Sequence, residues 1–288
     1  MIESLRAKLF SVYAGVFGRV PFRDRYGLRY YLWTDTRLVG SVLQGVRTDD
    51  SGVIFHVFKI LEALAARRGT IICFDVGAYI GVISLAMASR LRASDVVHAF
   101  EPSFVNYGRL LNNIRLNRTD KIIPNRLAVS DASTSVILKT PRNLSESFVG
   151  NQGAAINEHG KETTKEETVQ TERIDSFAAR NRIAHIDLLK IDAEYHDDKV
   201  LSGCGNLLNP ESISYLIYEF QEGEACAERC WRILESSGYA QFFIVRNGEF
   251  LVRRLSDYPR ERFKPVLNAL AISPVAPYFA GGLGLDVR

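Results

Sequence analysis

The sequence predicts an α/β fold, in which a mostly parallel, Rossmann-like sheet carries helices on both faces and ends in an antiparallel hairpin. Short apolar runs such as "IICFDVG" and "IDLLKIDAE" alternate with helical patterns, and this alternation is typical of parallel sheets. Towards the C-terminus, "FFIVRNGEFLV" places two apolar runs on either side of Asn247 and Gly248, which is a strong hairpin signal.

The elements follow in a regular order along the chain. Residues 22–45, with the aromatic run "RYYLWTD", predict short strands or a hairpin, and a helix is expected between Ser51 and Gly69. The expected strands are "IICFDVG", "DVVHAFEP", "KIIPNRLAVS", "IDLLKIDAE" and "SYLIYEF". The expected helices are "GVISLAMASRLR", "NYGRLLNNIRLN", "IDSFAARNR", "DDKVLSGCGNLL" and "EACAERCWRILESSG". Residues 141–170 are polar and aperiodic, so we expect a strand-flanking excursion and loop over the carboxyl edge of the sheet.

Three segments make up the predicted organisation. Residues 1–55 form an N-terminal helical and hairpin extension that packs on the core, and residues 56–254 form the α/β domain. Residues 255–288, which contain proline and glycine, form a tail that wraps the surface or reaches a partner. With 288 residues, 47% of them hydrophobic, the chain is long enough to bury one large core.

The amino-acid composition indicates the cellular environment and limits the classes of partner. The four cysteines show no zinc-ribbon spacing, which indicates free thiols in a reducing cytoplasm. A net charge of +3 without a dense Lys/Arg cluster argues against a nucleic-acid partner. No run of 18 apolar residues occurs, so we expect no transmembrane helix.

The N-terminal stretch "SLRAKLFSVYAGVFGRV" has apolar residues at helical spacing, and two interpretations are open. The helix packs on its own domain or on a second copy in a homo-oligomer, or it lies on a membrane surface as an amphipathic helix. We favour packing, because an apolar stripe at this spacing is the ordinary signature of a core-facing helix. Glu3 and a poor cleavage region argue against a signal peptide.

The turn in "CFDVGAYIGVISL" indicates which cofactor the sheet receives. Tyr79 occupies the position of the second glycine of a dinucleotide fingerprint, and Asp75 would repel a diphosphate. Glu101 ends the next strand, where a carboxylate accepts hydrogen bonds from ribose hydroxyls. S-adenosylmethionine has a ribose and an ammonium group and no phosphate, so it fits this turn better than NAD does. The alternative, an oxidoreductase that binds NAD, is therefore less favoured. Gly77 and Gly81 are equally explained by a tight turn and close helix packing.

Candidate catalytic residues lie on the strand "DLLKIDAE". Lys190, Asp192 and Glu194 share one face of an extended strand that ends where ligands of open α/β sheets bind. Asp192 is the leading candidate for a base or an acceptor-orienting group, with Glu194 and Lys190 in support. The alternative is an ion pair between Lys190 and Asp192 that has no part in the chemistry. Glu219 ends the following strand. It either reaches the pocket that receives the methyl acceptor or is a structural polar group at the strand end.

A metal site is the other interpretation of this region. Carboxylates and an imidazole are plausible ligands for a divalent cation. Asp197 and Asp198 are, however, equally explained as first-turn acids of the next helix, so we predict no bound metal. The residues concerned are Asp192, Glu194, His196, Asp197 and Asp198.

Taken in order, "FDVGAYIGVISL", "HAFEPS", "NNIRLN", "LAVSD" and "IDSFAARNRIAHIDLLKIDAE" resemble the landmarks of the FkbM-type S-adenosylmethionine-dependent methyltransferases. The resemblance covers about residues 71–220, and its most telling part is "DLLKIDAE", where the family typically reads Lys-Ile-Asp-x-Glu-Gly-x-Glu. It implies a class I methyltransferase fold, with a seven-stranded sheet whose last hairpin is antiparallel. It also implies methyl transfer to oxygen, commonly of a sugar or polyketide hydroxyl.

The resemblance further implies which residues contact the cofactor. The glycine turn would hold the methionine end, the second strand the ribose, and the end of the third strand the adenine. The matching residues are Asp75, Gly77 and Gly81 for the methionine end, Glu101 for the ribose, and Ser130 and Asp131 for the adenine, with Ala78, Tyr79 and Pro102 beside them.

Two tyrosines depart from the family pattern. Tyr79 replaces an asparagine, and Tyr195 replaces the glycine after Glu194. The Tyr195 ring either forms a wall against which a sugar stacks, or plugs the pocket and leaves a non-catalytic, partner-binding protein. We predict the first, and hence an O-methyltransferase with a small hydroxylated acceptor, a sugar or another natural product. The missing basic stripe disfavours an RNA methyltransferase.

Overall fold

The computed structural model of the chain describes residues 16–33, 50–65, 69–141, 148–150, 163–220, 225–239, 241–245, 250–252 and 267–273. The strands are β1 Arg19–Arg23, β2 Arg29–Trp33, β3 Ile72–Val76, β4 Val96–Phe100, β5 Ile122–Asn125, β6 Ala128–Val129, β7 Ser135–Pro141, β8 Phe148–Gly150, β9 Thr163–Glu172, β10 Ile186–Ile191, β11 Ile213–Phe220, β12 Gln241–Val245, β13 Phe250–Val252 and β14 Leu267–Ile272. The helices are α1 Asp50–Leu64, α2 Val82–Arg90, α3 Phe104–Asn117, α4 Ile174–Arg180, α5 Asp197–Ser202 and α6 Ala225–Ser236.

The predicted α/β fold is confirmed by the central sheet. Across the described residues, its strand order is β13-β12-β14-β11-β10-β3-β4-β5. The five strands from β11 to β5 run parallel to one another, whereas β12, β13 and β14 pair antiparallel with their neighbours. The strands of the Asn247-Gly248 hairpin, β12 and β13, pair as predicted, although the turn itself lies outside the described residues.

Side chains alternate between two core layers, one on each face of the sheet. On β3, Cys73 packs into the layer beneath α1, α2 and α3, and Phe74 packs into the layer beneath α4, α5 and α6. Phe74, Phe100 and Phe177 form an aromatic cluster in the second layer, with Phe100 and Phe177 centroids 4.8 Å apart. Burial on both faces explains why these parallel strands read as continuous apolar runs.

A second sheet corrects the prediction of a loop at residues 141–170. The order of its four described strands is β6-β9-β7-β8, and β9 extends through residues 163–172. The sheet buries a small cluster made by Ala128, Leu138 and Val169. Because β9 contributes only Val169 to this cluster, its sequence lacks the alternation of apolar and polar residues that is usual in a strand.

The C-terminal tail is also corrected. Residues 267–272 form β14, which inserts between β11 and β12 and is antiparallel to both. Its Leu270, Ala271 and Ile272 are fully buried, so the core of the sheet extends past the predicted boundary at residue 254. The antiparallel strand that lies directly beside the parallel strands is therefore β14. The β12–β13 hairpin lies beyond β14, at the edge of the sheet.

The N-terminal hairpin is present as β1 and β2, which pair antiparallel from Arg19–Trp33 to Arg23–Arg29, but it begins three residues before the predicted range of 22–45, and residues 34–45 lie outside the described residues. Of the stretch predicted as an N-terminal helix, residues 16–20 are described: Val16 and Phe17 are helical and exposed, but the helix ends there, because Arg19 and Val20 already belong to β1; residues 1–15 lie outside the described residues. No helix in the described ranges is long and apolar enough to cross a membrane.

Candidate active site

Four neighbouring strands bring their carboxyl ends to one edge of the central sheet. Strand β3 lies between β4 and β10, and β11 lies beside β10, all in parallel. This arrangement gathers Asp75, Glu101, Asp192 and Glu219 at or just past the strand ends. The carboxyl edge is where ligands of open α/β sheets bind.

The glycine turn after β3 is required by close packing. Gly77 has φ 73°, and a Cβ there would lie 1.8 Å from the Asp192 carbonyl oxygen. Gly81 has φ 91°, and its Cβ would lie 2.6 Å from Leu110 Cδ1. The N–H groups of Gly77 and Ala78 both donate to the Phe100 carbonyl, at 3.0 and 2.9 Å. The packing explanation for both glycines is thus confirmed, and their contact with a cofactor stays a prediction.

Glu101 is a buried carboxylate held by backbone donors. Its Oε2 accepts from the Tyr79 N–H at 2.9 Å, and its Oε1 accepts from the Ser103 N–H at 3.0 Å. Each oxygen keeps one lone pair for another donor. Burial raises the pKa of Glu101 to about 8, and the two backbone hydrogen bonds offset only part of this rise. Pro102, the residue between Glu101 and Ser103, is partly buried.

Asp75 lies at the base of the site and is completely buried. Its Oδ2 accepts from the Ser84 hydroxyl at 2.5 Å, and its Oδ1 faces Lys190 Nζ at 3.5 Å. Oδ1 has no hydrogen-bond donor among the described residues. Burial raises the pKa of Asp75, and the nearby Lys190 ammonium offsets part of the rise.

Lys190 bridges two of the acidic residues of this edge, Asp75 and Asp192. Its buried Nζ lies 3.5 Å from Asp75 and 3.3 Å from Asp192, and it donates to the Gly77 carbonyl at 3.2 Å. The predicted Lys190–Asp192 ion pair is therefore present and shared with Asp75. The Asp192 side chain is 39% exposed, so it is open to solvent, whereas Lys190 and Asp75 are buried.

A tight turn follows Asp192. Glu194 and Tyr195 both have positive φ, 49° and 68°, and the His196 N–H donates to the Ala193 carbonyl at 3.2 Å. Positive φ at both central positions is the feature of a type I′ turn, which favours asparagine and glycine. Tyr195 therefore adopts a backbone conformation that favours glycine, the residue that the family pattern has at this position.

Glu219 completes the acidic edge from β11. Burial raises the pKa of Glu219 to about 9, and the negative charges of Asp192, Asp197 and Glu194 raise it further. The Glu219 carboxyl therefore lies within electrostatic reach of these three carboxylates. Even so, within the ranges that the structure describes, no three acidic, histidine or cysteine side chains are arranged as metal ligands.

The placement of Ser130 and Asp131 corrects one prediction. They follow β6, which pairs with β9 in the second sheet, and so they do not end the third strand of the central sheet. Ser130 Oγ lies 2.9 Å from His196 Nε2, and Asp131 pairs with Lys199 at 2.9 Å. The hydrogen bond from Lys199 holds the pKa of Asp131 below its usual value. Both residues therefore contact the segment after β10, and their contact with adenine stays a prediction.

The residues at this edge fit the predicted cofactor. Glu101 offers two lone pairs for the ribose hydroxyls, and the buried Asp75 carboxylate, which already faces the Lys190 ammonium at 3.5 Å, has the charge that suits a second ammonium group. Asp75 and Glu101 are buried acids that would repel a phosphate, so they agree with a cofactor that carries none. The fold and the site together define a class I S-adenosylmethionine-dependent methyltransferase.

The family follows from the match to a sequence model described as the methyltransferase FkbM domain, which spans residues 75–240. This is more than half of the chain, so the chain belongs to the FkbM methyltransferase family, and S-adenosyl-L-methionine is its cofactor.

Individual relatives are distant. The hexuronic acid methyltransferase AglP of Haloferax volcanii is 26% identical over 152 residues, which cover 53% of this chain and 56% of the relative. The chain thus spans about half the length of this relative. A solved S-adenosylmethionine-dependent methyltransferase of Agrobacterium tumefaciens has a TM-score of 0.50 and 14% identity, covering 89% of this chain and 70% of that one. The similarity to the Agrobacterium tumefaciens structure shows that the two chains share a fold.

The buried carboxylates predict how the stability of the cofactor-free protein depends on pH. Glu101 keeps its proton in the folded state up to about pH 8, whereas the unfolded carboxyl loses it near its ordinary pKa of 4.5. The folded state then holds more protons between these values, so the free energy of unfolding falls as pH rises through this window. Each pKa unit corresponds to about 1.4 kcal/mol, so we expect a fall of several kcal/mol. Urea denaturation between about pH 5 and pH 8 measures it.

Glu101→Gln is the matched variant for this measurement. It removes the titrating group, so its unfolding free energy should depend less steeply on pH. Asp197, with a pKa raised by burial to about 7, and Glu219 retain part of the slope. Identical slopes for the variant and the natural chain would show that Glu101 keeps an ordinary pKa.

Proposed function

We propose that the chain transfers a methyl group from S-adenosylmethionine to a hydroxyl oxygen of a sugar or related natural product. The observation that supports this proposal most directly is Asp192, a partly exposed carboxylate held by Lys190 at the open side of the cofactor edge. The relative that acts on a hexuronic acid supports a sugar as the acceptor class.

Bound S-adenosylmethionine supplies a methyl group made electrophilic by the adjacent sulfonium. The chain's own residues then have two tasks, which are to hold the cofactor and to prepare the acceptor. For the first, Glu101 accepts from the ribose hydroxyls, and Asp75 accepts from the ammonium group, with Lys190 balancing the buried charge. Both carboxylates are fixed in place by hydrogen bonds within the fold.

For the second task, Asp192 takes the proton of the attacking hydroxyl. A sugar hydroxyl is a poor nucleophile, and a positioned base contributes a factor of about 10²–10⁴. Lys190 fixes the orientation of the Asp192 carboxylate through the 3.3 Å ion pair. Glu194 and Tyr195, on the turn that follows, line the side of the site that receives the acceptor.

We expect the protein to bind S-adenosylhomocysteine in a calorimetric titration and to show no binding of NAD under the same conditions. Incubation with methyl-labelled S-adenosylmethionine and a panel of methyl hexosides and hexuronic acids then tests the acceptor class. Hexuronic acids offer both hydroxyl and carboxyl oxygens, so the product is treated with mild alkali.

Label that survives alkali is an ether and supports transfer to a hydroxyl. Label released by alkali is a methyl ester and would overturn that part of the proposal while keeping the sugar. No transfer to any member of the panel, together with transfer by the Tyr195→Gly variant, would instead show that Tyr195 closes the pocket of the natural chain.

A further inference from the structure

The turn after β10 is held in a conformation that its sequence disfavours. Glu194 and Tyr195 are consecutive non-glycine residues with left-handed backbones. Such a backbone costs about 1–2 kcal/mol per residue, so it persists only where the surroundings enforce it. The hydrogen bond from His196 N–H to the Ala193 carbonyl closes the turn but does not attach it to the sheet.

Asp197 supplies an attachment to the sheet. Its buried carboxylate bridges two backbone donors that are far apart in sequence: Oδ1 accepts from the Ala193 N–H at 2.8 Å, and Oδ2 accepts from the Glu219 N–H at 3.2 Å. One side chain thus joins the first residue of the turn to the end of β11. A carboxylate suits this task, because each of its oxygens accepts and neither donates.

We propose that Asp197 is a positioning residue for methyl transfer, because it fastens the turn that carries Glu194 and Tyr195 to the end of β11 beside Glu219. The inference rests on the proposed function, since it assigns the turn to the acceptor side of the site. Asp197 itself contacts backbone groups rather than the reacting atoms.

The adjacent Asp198 provides a matched control. Both residues are buried acids in the first turn of α5. Asp198, however, pairs with Arg229 at 2.5 Å and accepts from the Cys226 thiol, on α6, and has no bond to the turn. An effect of a first-turn acid on its own helix would be shared by the two residues, whereas an effect on the turn belongs to Asp197 alone.

The first experiment uses Asp197→Asn and Asp198→Asn. Asparagine offers one acceptor oxygen and places an NH₂ group against the second backbone N–H, so one of the two bonds is lost. We expect the Asp197→Asn variant to shift the amide resonances of Glu194 and Tyr195 and to exchange the Ala193 or Glu219 amide proton at least about tenfold faster. Its dissociation constant for S-adenosylhomocysteine should stay within about twofold of the natural chain, and Asp198→Asn should leave the turn resonances unchanged.

The second measurement needs no variant and so does not depend on how well one folds. In the natural chain, the Ala193 and Glu219 amide resonances should share one titration step, because both N–H groups donate to the Asp197 carboxyl. Burial raises the pKa of Asp197 to about 7, which places this titration in an accessible range. Unchanged Glu194 and Tyr195 resonances in Asp197→Asn, an equal response in Asp198→Asn, or separate titration of the two amides would each overturn the proposal.

Turnover separates positioning from stability. With an acceptor that the panel has identified, Asp197→Asn should raise the acceptor KM about tenfold and leave the KM for S-adenosylmethionine unchanged. Equal loss for both substrates would overturn the positioning role. The resonance measurements require no acceptor, so they stand even if the panel yields no product and the proposed function fails.

Discussion

Asp192→Asn should lower kcat by a factor of about 10² or more while leaving the affinity for S-adenosylhomocysteine unchanged. Asparagine keeps the size and one acceptor oxygen of the side chain but cannot take a proton from a hydroxyl. Asp192 is partly exposed and is held by Lys190, so the substitution removes a base without opening the buried part of the site. Single-turnover methyl transfer, with calorimetry for the cofactor, measures both quantities.

The variant Lys190→Met tests whether the Lys190–Asp192 ion pair serves catalysis or only the stability of the fold. If the pair served only the fold, Asp192→Asn and Lys190→Met would both reduce stability and neither would change kcat beyond the loss of folded protein. Normal turnover by Asp192→Asn would place the base elsewhere, and Glu194→Gln and Glu219→Gln would be tested next.

Glu101→Ala should weaken binding of S-adenosylhomocysteine by a factor of about 10² or more. The ribose offers two hydroxyl donors, and hydrogen bonds to a charged group contribute about 1.5–3 kcal/mol each. At neutral pH, burial leaves much of Glu101 protonated, so the bonds form at the cost of releasing this proton. We therefore also expect the affinity to increase as pH rises towards about 8, which calorimetry in buffers of different ionisation enthalpy detects.

Glu101 also holds the backbone of Tyr79 and Ser103, so a control for local structure is needed. Glu167, a neighbouring carboxylate on β9, accepts from the Phe104 N–H and pairs with Arg126 at 3.3 Å. Glu167→Gln should retain full affinity. Unchanged affinity in Glu101→Ala would remove Glu101 from the cofactor site, and equal losses in both variants would indicate a general disturbance of this edge.

The parallel part of the fold could be predicted from the sequence because its strands are buried on both faces. Such strands are short apolar runs, and the helices between them keep a clear period. The same logic does not reach β9, whose polar residues face solvent over a small core, or β14, whose partners β11 and β12 are set by long-range pairing. No local signal in "LNALAI" names those partners.

The candidate site was predictable to the extent that its residues lie at strand ends. Asp75, Glu101, Lys190 and Asp192 could be placed at one edge because parallel strands align their carboxyl ends. Asp197 was interpreted as an ordinary first-turn acid of a helix. The last glutamate of the family pattern aligns with Asp197 and so indicates an acid at this position, but its two partners are backbone N–H groups, which every residue has, so the sequence does not show the bridge itself.

The insertion of β14 between β11 and β12 determines when the sheet can be completed during synthesis. Strand β11 has all its parallel neighbours once residue 220 has emerged from the ribosome, but its other edge stays unpaired until residues 267–272 arrive. Its inward residues, from Ile213 to Tyr218, are fully or almost fully buried in the finished fold. A nascent chain therefore presents a long apolar strand edge for about 50 residues of elongation, which leaves β11 open to intermolecular pairing and to capture by chaperones.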